Sequence, residues 1–291
     1  MTNVTAQPEQ PAFVLERAGD WAIAKATASV ETCPECHGTG LHHTLVEQHG
    51  RSYEVATPCP RGKHSERAAA FNQAHVPAVH AQATFASYRP SNEEQARALQ
   101  VAKDFAVRWP QSRGFILSGP VGTGKTHLLA ATLKHLALEL GVKVGYQEIS
   151  LLYAQIRRGF QDGKSGGEII GPLSQVEVLA IDELGKGRGS PFELETLDEL
   201  IARRYNAGRV TLFATNYSLK PPEGKARGYV STDAALEAGK ESKLLCDRVG
   251  DRIYSRLCEM CEFVEFPPGT SDARRARSAA DSARGTSGRR L

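Results

Sequence analysis

No stretch of about 18 uncharged apolar residues occurs anywhere in the chain, which excludes a helical membrane span by length alone. The amino terminus, Met1-Thr-Asn-Val-Thr-Ala-Gln-Pro-Glu-Gln10, lacks both a basic start and an apolar run, so nothing there marks the chain for secretion. A dense cysteine framework is missing too: six cysteines in 291 residues are too few and too dispersed to staple a small domain. Thiols or metal ligands in a reducing, cytoplasmic setting are therefore expected instead of disulfides, with no membrane partner. No internal repeat is visible. Net charge is small at +3, but it is unevenly spread: residues 267–291 hold six arginines against Asp272 and Asp281, leaving about −1 on the rest. A basic tail follows a near-neutral body. Hydrophobic content of 41% and charged content of 24% suit a globular protein with one sizeable core and room for a small satellite.

The strongest positive signal is Gly119-Pro-Val-Gly-Thr-Gly-Lys-Thr126, which fits Gly-x-x-x-x-Gly-Lys-Thr at every fixed position. Glycines let the backbone wrap phosphate oxygens, and the helix that opens there points amide N–H groups at them. The loop Gly119, Pro120, Val121, Gly122, Thr123, Gly124 and Lys125 would cradle ATP, with Lys125 reaching the β/γ-phosphates and Thr126 supplying a hydroxyl to Mg²⁺. His127 follows on the same helix. Arg113–Ser118 reads as a buried strand before the loop. Lys125–Leu140 reads as a helix that stops at Gly141. A second apolar run, Val176–Ile181, ends in Asp182-Glu183, and a parallel sheet brings strand C-termini to one edge. Asp182 is thus expected in the Mg²⁺ shell and Glu183 at the attacking water.

Strands and helices alternate through the middle of the chain, predicting a parallel sheet with helices on both faces. Further strands are expected at Val142–Glu148, Arg209–Thr215 and Cys261–Phe266, and helices at Ser150–Gly159, from Ser190 to about Asn206, and around Leu244–Met260. Ser91-Asn-Glu-Glu94 has the layout of a capping box for a helix through Trp109 that Pro110 closes. Gln161–Gly167 reads as a flexible loop, Lys220–Lys243 as irregular, and Trp21–Ala26 as a short helix. The expected divisions are a flexible 1–30, a zinc-binding module at 31–66, a linker at 67–90, an ATPase core at 91–266 and a disordered basic tail at 267–291. Within the linker, Ala83–Tyr88 is a candidate contact for the nucleotide base.

In the small module, Cys33-x₂-Cys36-x₂₂-Cys59-x₄-His64 can supply one zinc tetrahedron. Two alternating runs, Leu41–Val46 and Ser52–Ala56, predict a hairpin with the cysteines at its base. His64 is the expected fourth ligand, with His37, His42 and His43 as rivals. A segment this poor in apolar residues needs a staple to fold. Cys246, Cys258 and Cys261 read as packing residues.

The cradle, the Asp182-Glu183 pair, the Thr215-Asn216 strand end and Asp251-Arg252-Ile-Tyr-Ser-Arg256-Leu together resemble the AAA+ ATPases of the DnaC/IstB group, over roughly residues 80–266. The cysteine module resembles the amino-terminal zinc modules of some helicase loaders. That resemblance implies a P-loop NTPase with a five-stranded sheet, ATP hydrolysis, Asn216 near the γ-phosphate, and an ATP site shared between subunits of a ring or spiral. Arg256 would be the arginine finger and Arg252 an assisting one. It also implies a replicative DNA helicase as partner. Lys186 and Arg188, in the loop after the carboxylate pair, are candidates for contacting single-stranded DNA within an oligomer, and the tail arginines for touching nucleic acid phosphates. A transposition-helper ATPase and a nucleotide-gated adaptor with incidental hydrolysis are the alternatives. The helical lid that most AAA+ proteins carry has no counterpart after Phe266.

Overall fold

In the computed structural model, which describes residues 11–27, 33–48, 50–219 and 243–272, two antiparallel strands come first: β1 (Phe13–Ala18) and β2 (Trp21–Ala26). Trp21–Ala26 is therefore a strand and not the expected helix. Its sequence alternates, and Ala22 and Ala24 are buried while their neighbours face outward. A second antiparallel pair, β3 (Leu41–Gln48) and β4 (Arg51–Pro58), is the expected hairpin, in register from Leu41↔Pro58 to Gln48↔Arg51.

Helix α1 (Gly62–Asn72) and a 3₁₀ turn at Ala78–His80 occupy the stretch expected to be a linker. Phe71, Val76, Ala81, Ala83 and Tyr88 are all buried there, so 67–90 packs as part of the core. Asn72 holds the β1–β2 hairpin to α1: its Oδ1 accepts from Ala24 N at 2.7 Å and its Nδ2 donates to Ala24 O at 3.1 Å.

Helix α2 (Glu93–Arg108) starts one residue later than the capping-box pattern suggests. Asn92 is the cap, its side chain accepting from Gln95 N, and Gln95 Oε1 accepts from Ser91 N in return. Then come β5 (Gly114–Ser118), α3 (Lys125–His135) with a π-helical turn to Leu140, and Gly141 ending it at φ 74° as expected. After β6 (Val144–Glu148) and α4 (Ile149–Gln161), a helix α5 (Gly166–Gln175) takes up part of the expected loop and much beyond it. Ser165 and Glu168 form a full capping box that offsets the weak start. The chain continues through β7 (Val178–Asp182), α6 (Pro191–Asn206), β8 (Val210–Thr215), α7 (Leu245–Val249), α8 (Asp251–Met260) and β9 (Cys261–Glu265). Gly250, at φ 79°, splits the expected Leu244–Met260 helix in two.

The five central strands pair in parallel in the order β6-β7-β8-β5-β9. Alternate residues feed two cores. Phe115, Leu117, Val178, Ala180, Leu212 and Ala214 pack with α2 and α3 on one face, while Ile116, Leu179, Ile181 and Phe213 pack with α4–α8 on the other. Arg204 of α6 is the largest fully buried side chain. It donates to Thr211 Oγ1, to the carbonyls of Leu173 and Val176 at 2.9 Å, and to those of Glu177 and Val210. No helix among the described residues is long and apolar enough to cross a membrane. The expected irregular stretch Lys220–Lys243 lies outside the described residues except for Lys243, and so do the tail arginines Arg274, Arg275, Arg277, Arg284, Arg289 and Arg290.

Candidate functional site

Strand β5 runs into the glycine loop and the loop into α3, so the loop stands at the C-terminal edge of the sheet with a helix N-terminus behind it. Two of its glycines are required by their surroundings. Gly124 has φ 91°, and a Cβ there would lie 2.6 Å from Cε2 of Tyr88; a Cβ at Gly119, φ 143°, would lie 2.6 Å from Cβ and 3.0 Å from O of Phe266. The underside of the loop is pinned at Thr123 O, which accepts from Tyr88 Oη at 3.1 Å and Gln95 Nε2 at 2.9 Å. Lys125, almost fully buried, donates to the carbonyls of Gly119 and Pro120, each at 2.7 Å.

His127, in the first turn of α3, faces the Ala83–Tyr88 segment. Its Nε2 lies 2.9 Å from Thr84 O, which can only accept, so Nε2 carries a proton; Tyr88 packs on the ring at 5.5 Å.

Three strands deliver the other polar groups. Asp182 ends β7, next to β6 with Glu148↔Asp182 in register. Its Oδ2 accepts from Thr126 Oγ1 at 2.7 Å and from Tyr146 Oη at 2.8 Å, and its Oδ1 accepts from Glu183 N at 2.8 Å. A hydroxyl and a carboxylate joined in this way are hard oxygen donors suited to Mg²⁺ and its waters, so the residues fit that ion. Tyr146 was not picked out from the sequence; a lone tyrosine inside an apolar strand gives no signal there. Asn216 follows β8 directly and is exposed at the same sheet edge.

Glu183 adopts φ 56°, uncommon for a residue with a side chain. Lys186 Nζ pairs with Glu183 and lies 3.6 Å from Glu148 Oε1. Burial raises the Glu183 pKa, with the Glu148 carboxyl adding to the rise and Lys186 opposing it. At Glu148 burial pushes upward too, but hydrogen bonds from Ser150 and Glu183 and the Lys186 charge outweigh it, and the net shift is downward. The loop after Glu183 is held from outside by α7. Arg248 Nε donates to Gly185 O at 3.1 Å and Nη2 to Gly187 O, with the guanidinium 5.1 Å from the Tyr217 ring.

The two candidate finger arginines lie on α8 and share one partner. Arg256 Nη1 is 2.5 Å from Asp198 Oδ1 and mostly buried, whereas Arg252 Nη1 is 3.6 Å from Oδ2 and its side chain is 74% exposed.

At the base of the β3–β4 hairpin, Cys33, Cys36, Cys59 and His42 bring their ligand atoms within 4.8 Å of one another. His64 is not in this group. It lies in α1, its Nδ1 is buried without a hydrogen-bond partner and its ring packs on Phe13 at 5.2 Å, so the expected fourth ligand is replaced by His42, one of its rivals. Turns at Gly38 and Gly40, both at positive φ, bring the second residue of β3 over the thiols. Glu35 Oε2 lies 3.2 Å from His42 Nδ1, leaving Nε2, 3.9 Å from Cys33 Sγ, to face the cluster. The Cys33 thiol is lowered to about 6, chiefly by the backbone N–H of Cys36 and then by His42, while burial raises Cys59. Three sulfurs and one imidazole, one thiol already inclined to ionise, fit a tetrahedral zinc site. Of the remaining cysteines, Cys246 and Cys261 are buried, as expected of packing residues, and Cys258 is exposed.

Comparison with known proteins gives a family match, described as "IstB-like ATP binding protein", over residues 62–236. The replicative helicase loader DnaC of Escherichia coli K12 is 30% identical over 152 residues, covering 52% of this chain and 62% of that protein. YdaV, an uncharacterized protein of the same organism, is 31% identical over 146 residues, or 50% of this chain and 58% of that one. The chain thus spans less than two thirds of the length of these relatives. Among solved structures, a DnaC helicase loader superposes with a TM-score of 0.53 at 27% identity, covering 65% of this chain and 99% of the other. A DNA replication initiation factor, at 18% identity and a TM-score of 0.50, shares the fold.

Proposed function

Because this chain belongs to the IstB-like ATP-binding family, within the DnaC/IstB group of AAA+ proteins, we propose that it is an ATPase acting in DNA replication as a helicase loader. The supporting observation is the union, at one sheet edge, of the Gly119–Thr126 cradle with the Thr126–Asp182 hydrogen bond and the Glu183 carboxyl. ATP binds with its phosphates on the loop N–H groups and Lys125, and His127 and Tyr88 border the base. Thr126 and Asp182 would hold Mg²⁺, which when bound would supply positive charge against the triphosphate. Glu183 orients the attacking water and accepts its proton, and Asn216 meets the γ-phosphate. An arginine of α8, Arg252 or Arg256, completes the site of a neighbouring subunit in a ring or spiral.

The zinc-stapled hairpin, with Leu45 and Tyr53 exposed, offers the surface for a replicative helicase. Residues 31–66 act as that module, the ATPase core follows, and single-stranded DNA is contacted from the side of Lys186 and Arg188. Two measurements test the reading. Purified protein should bind ATP with Mg²⁺ and hydrolyse it, and Lys125→Ala should abolish both. Capture of a replicative helicase should require the hairpin module at residues 33–59; capture undiminished by its removal favours the transposition-helper reading instead.

A further inference from the structure

The geometry points to Tyr146 as a positioning residue for the metal-binding carboxylate, an inference that rests on the ATP–Mg²⁺ reading above. Tyr146 sits on β6 opposite Ala180, two residues short of Asp182's own partner, a diagonal that a tyrosine ring is long enough to bridge. Its hydroxyl donates to Asp182 Oδ2 at 2.8 Å, on the oxygen that also accepts from Thr126. Both side chains are almost fully buried. With Glu183 N on the other oxygen, the carboxylate has three donors and one orientation, and only Thr126 among their side chains belongs to the nucleotide loop. The phenol therefore fixes the carboxylate from outside the loop, before metal arrives, and keeps Oδ2 turned toward Thr126.

The test is the Mg²⁺ dependence of fluorescent ADP binding to the full chain. Tyr146→Phe removes one oxygen and keeps the ring. Affinity measured in EDTA should stay within about twofold, while the Mg²⁺ concentration that gives half of the metal-dependent tightening should rise by about tenfold, the low end for loss of an outer-shell partner. An unchanged or lowered midpoint overturns the proposal. Asp182→Ala supplies the control: Y146F added to D182A should change neither metal response nor melting temperature further. Equal losses in both backgrounds mean that the phenol only packs, which also overturns it. Failure of the wild-type chain to bind ADP at all, or to respond to Mg²⁺, is a separate result that removes the ATP reading itself.

Discussion

Arg256 is tied to Asp198 of its own chain, Nη1 to Oδ1 at 2.5 Å, and also lies against the Tyr205 ring at 5.9 Å. An arginine so engaged has to leave its partner before it can reach a neighbour, whereas Arg252, one turn earlier, touches the same Asp198 only at 3.6 Å with its side chain 74% exposed. Arg252→Ala is therefore expected to reduce turnover at least tenfold with no change in melting temperature, since a finger contributes up to about 10³–10⁵ in rate. Arg256→Ala should lower both turnover and stability. Mixing Arg252→Ala with Lys125→Ala subunits should restore some activity; no recovery in any ratio rules out a shared site.

Glu183 predicts the acid side of the pH–rate profile. Its carboxyl is raised, so the deprotonated form needed to take a proton from water is lost at a higher pH than for an ordinary glutamate. Lys186 opposes that rise and Glu148 adds to it. Lys186→Met should accordingly move the acid limb up in pH, and Glu148→Gln should move it down. Glu183→Gln should keep ATP binding and cut turnover by about 10² or more.

The hairpin module should contain one zinc per chain by elemental analysis. His42→Ala should lose it and His64→Ala should keep it; the reverse result restores His64 as the ligand. Because binding to such sites is worth about 10–16 kcal/mol, chelation should melt β3 and β4 while nucleotide binding persists.

Arg204 is a structural prediction. Its replacement by alanine leaves several carbonyls without their donor inside the protein, and should cost about 3–5 kcal/mol by urea unfolding.

What the sequence made legible was local chemistry: a loop whose fixed residues are adjacent, carboxylates at the end of an apolar run, and an alternation of strand and helix that leaves few topologies. Less was legible where the decisive contact is long-range. Trp21–Ala26 has alanines that suit a helix, and pairing with β1 together with burial of Ala22 and Ala24 against α1 makes it a strand. Residues 67–90 are rich in alanine but carry no sustained helix or strand period to announce a core, yet the small alanines there fit under α3. Cysteine spacing marked three of the four clustered side chains but could not choose among four histidines, because the choice depends on how the Gly38 and Gly40 turns aim β3. α5 begins with two glycines and contains Pro172, and its helical start depends on the Ser165–Glu168 box.

The grip of Arg248 on the carbonyls of Gly185 and Gly187 means that the loop carrying Glu183 and the two helices leading to Arg252 and Arg256 cannot shift independently. On the proposed shared-site reading, a tug on α8 by an adjoining copy would be transmitted, through one guanidinium, to the loop that bears Glu183, so each subunit's own turnover would register whether its outward arginines are engaged.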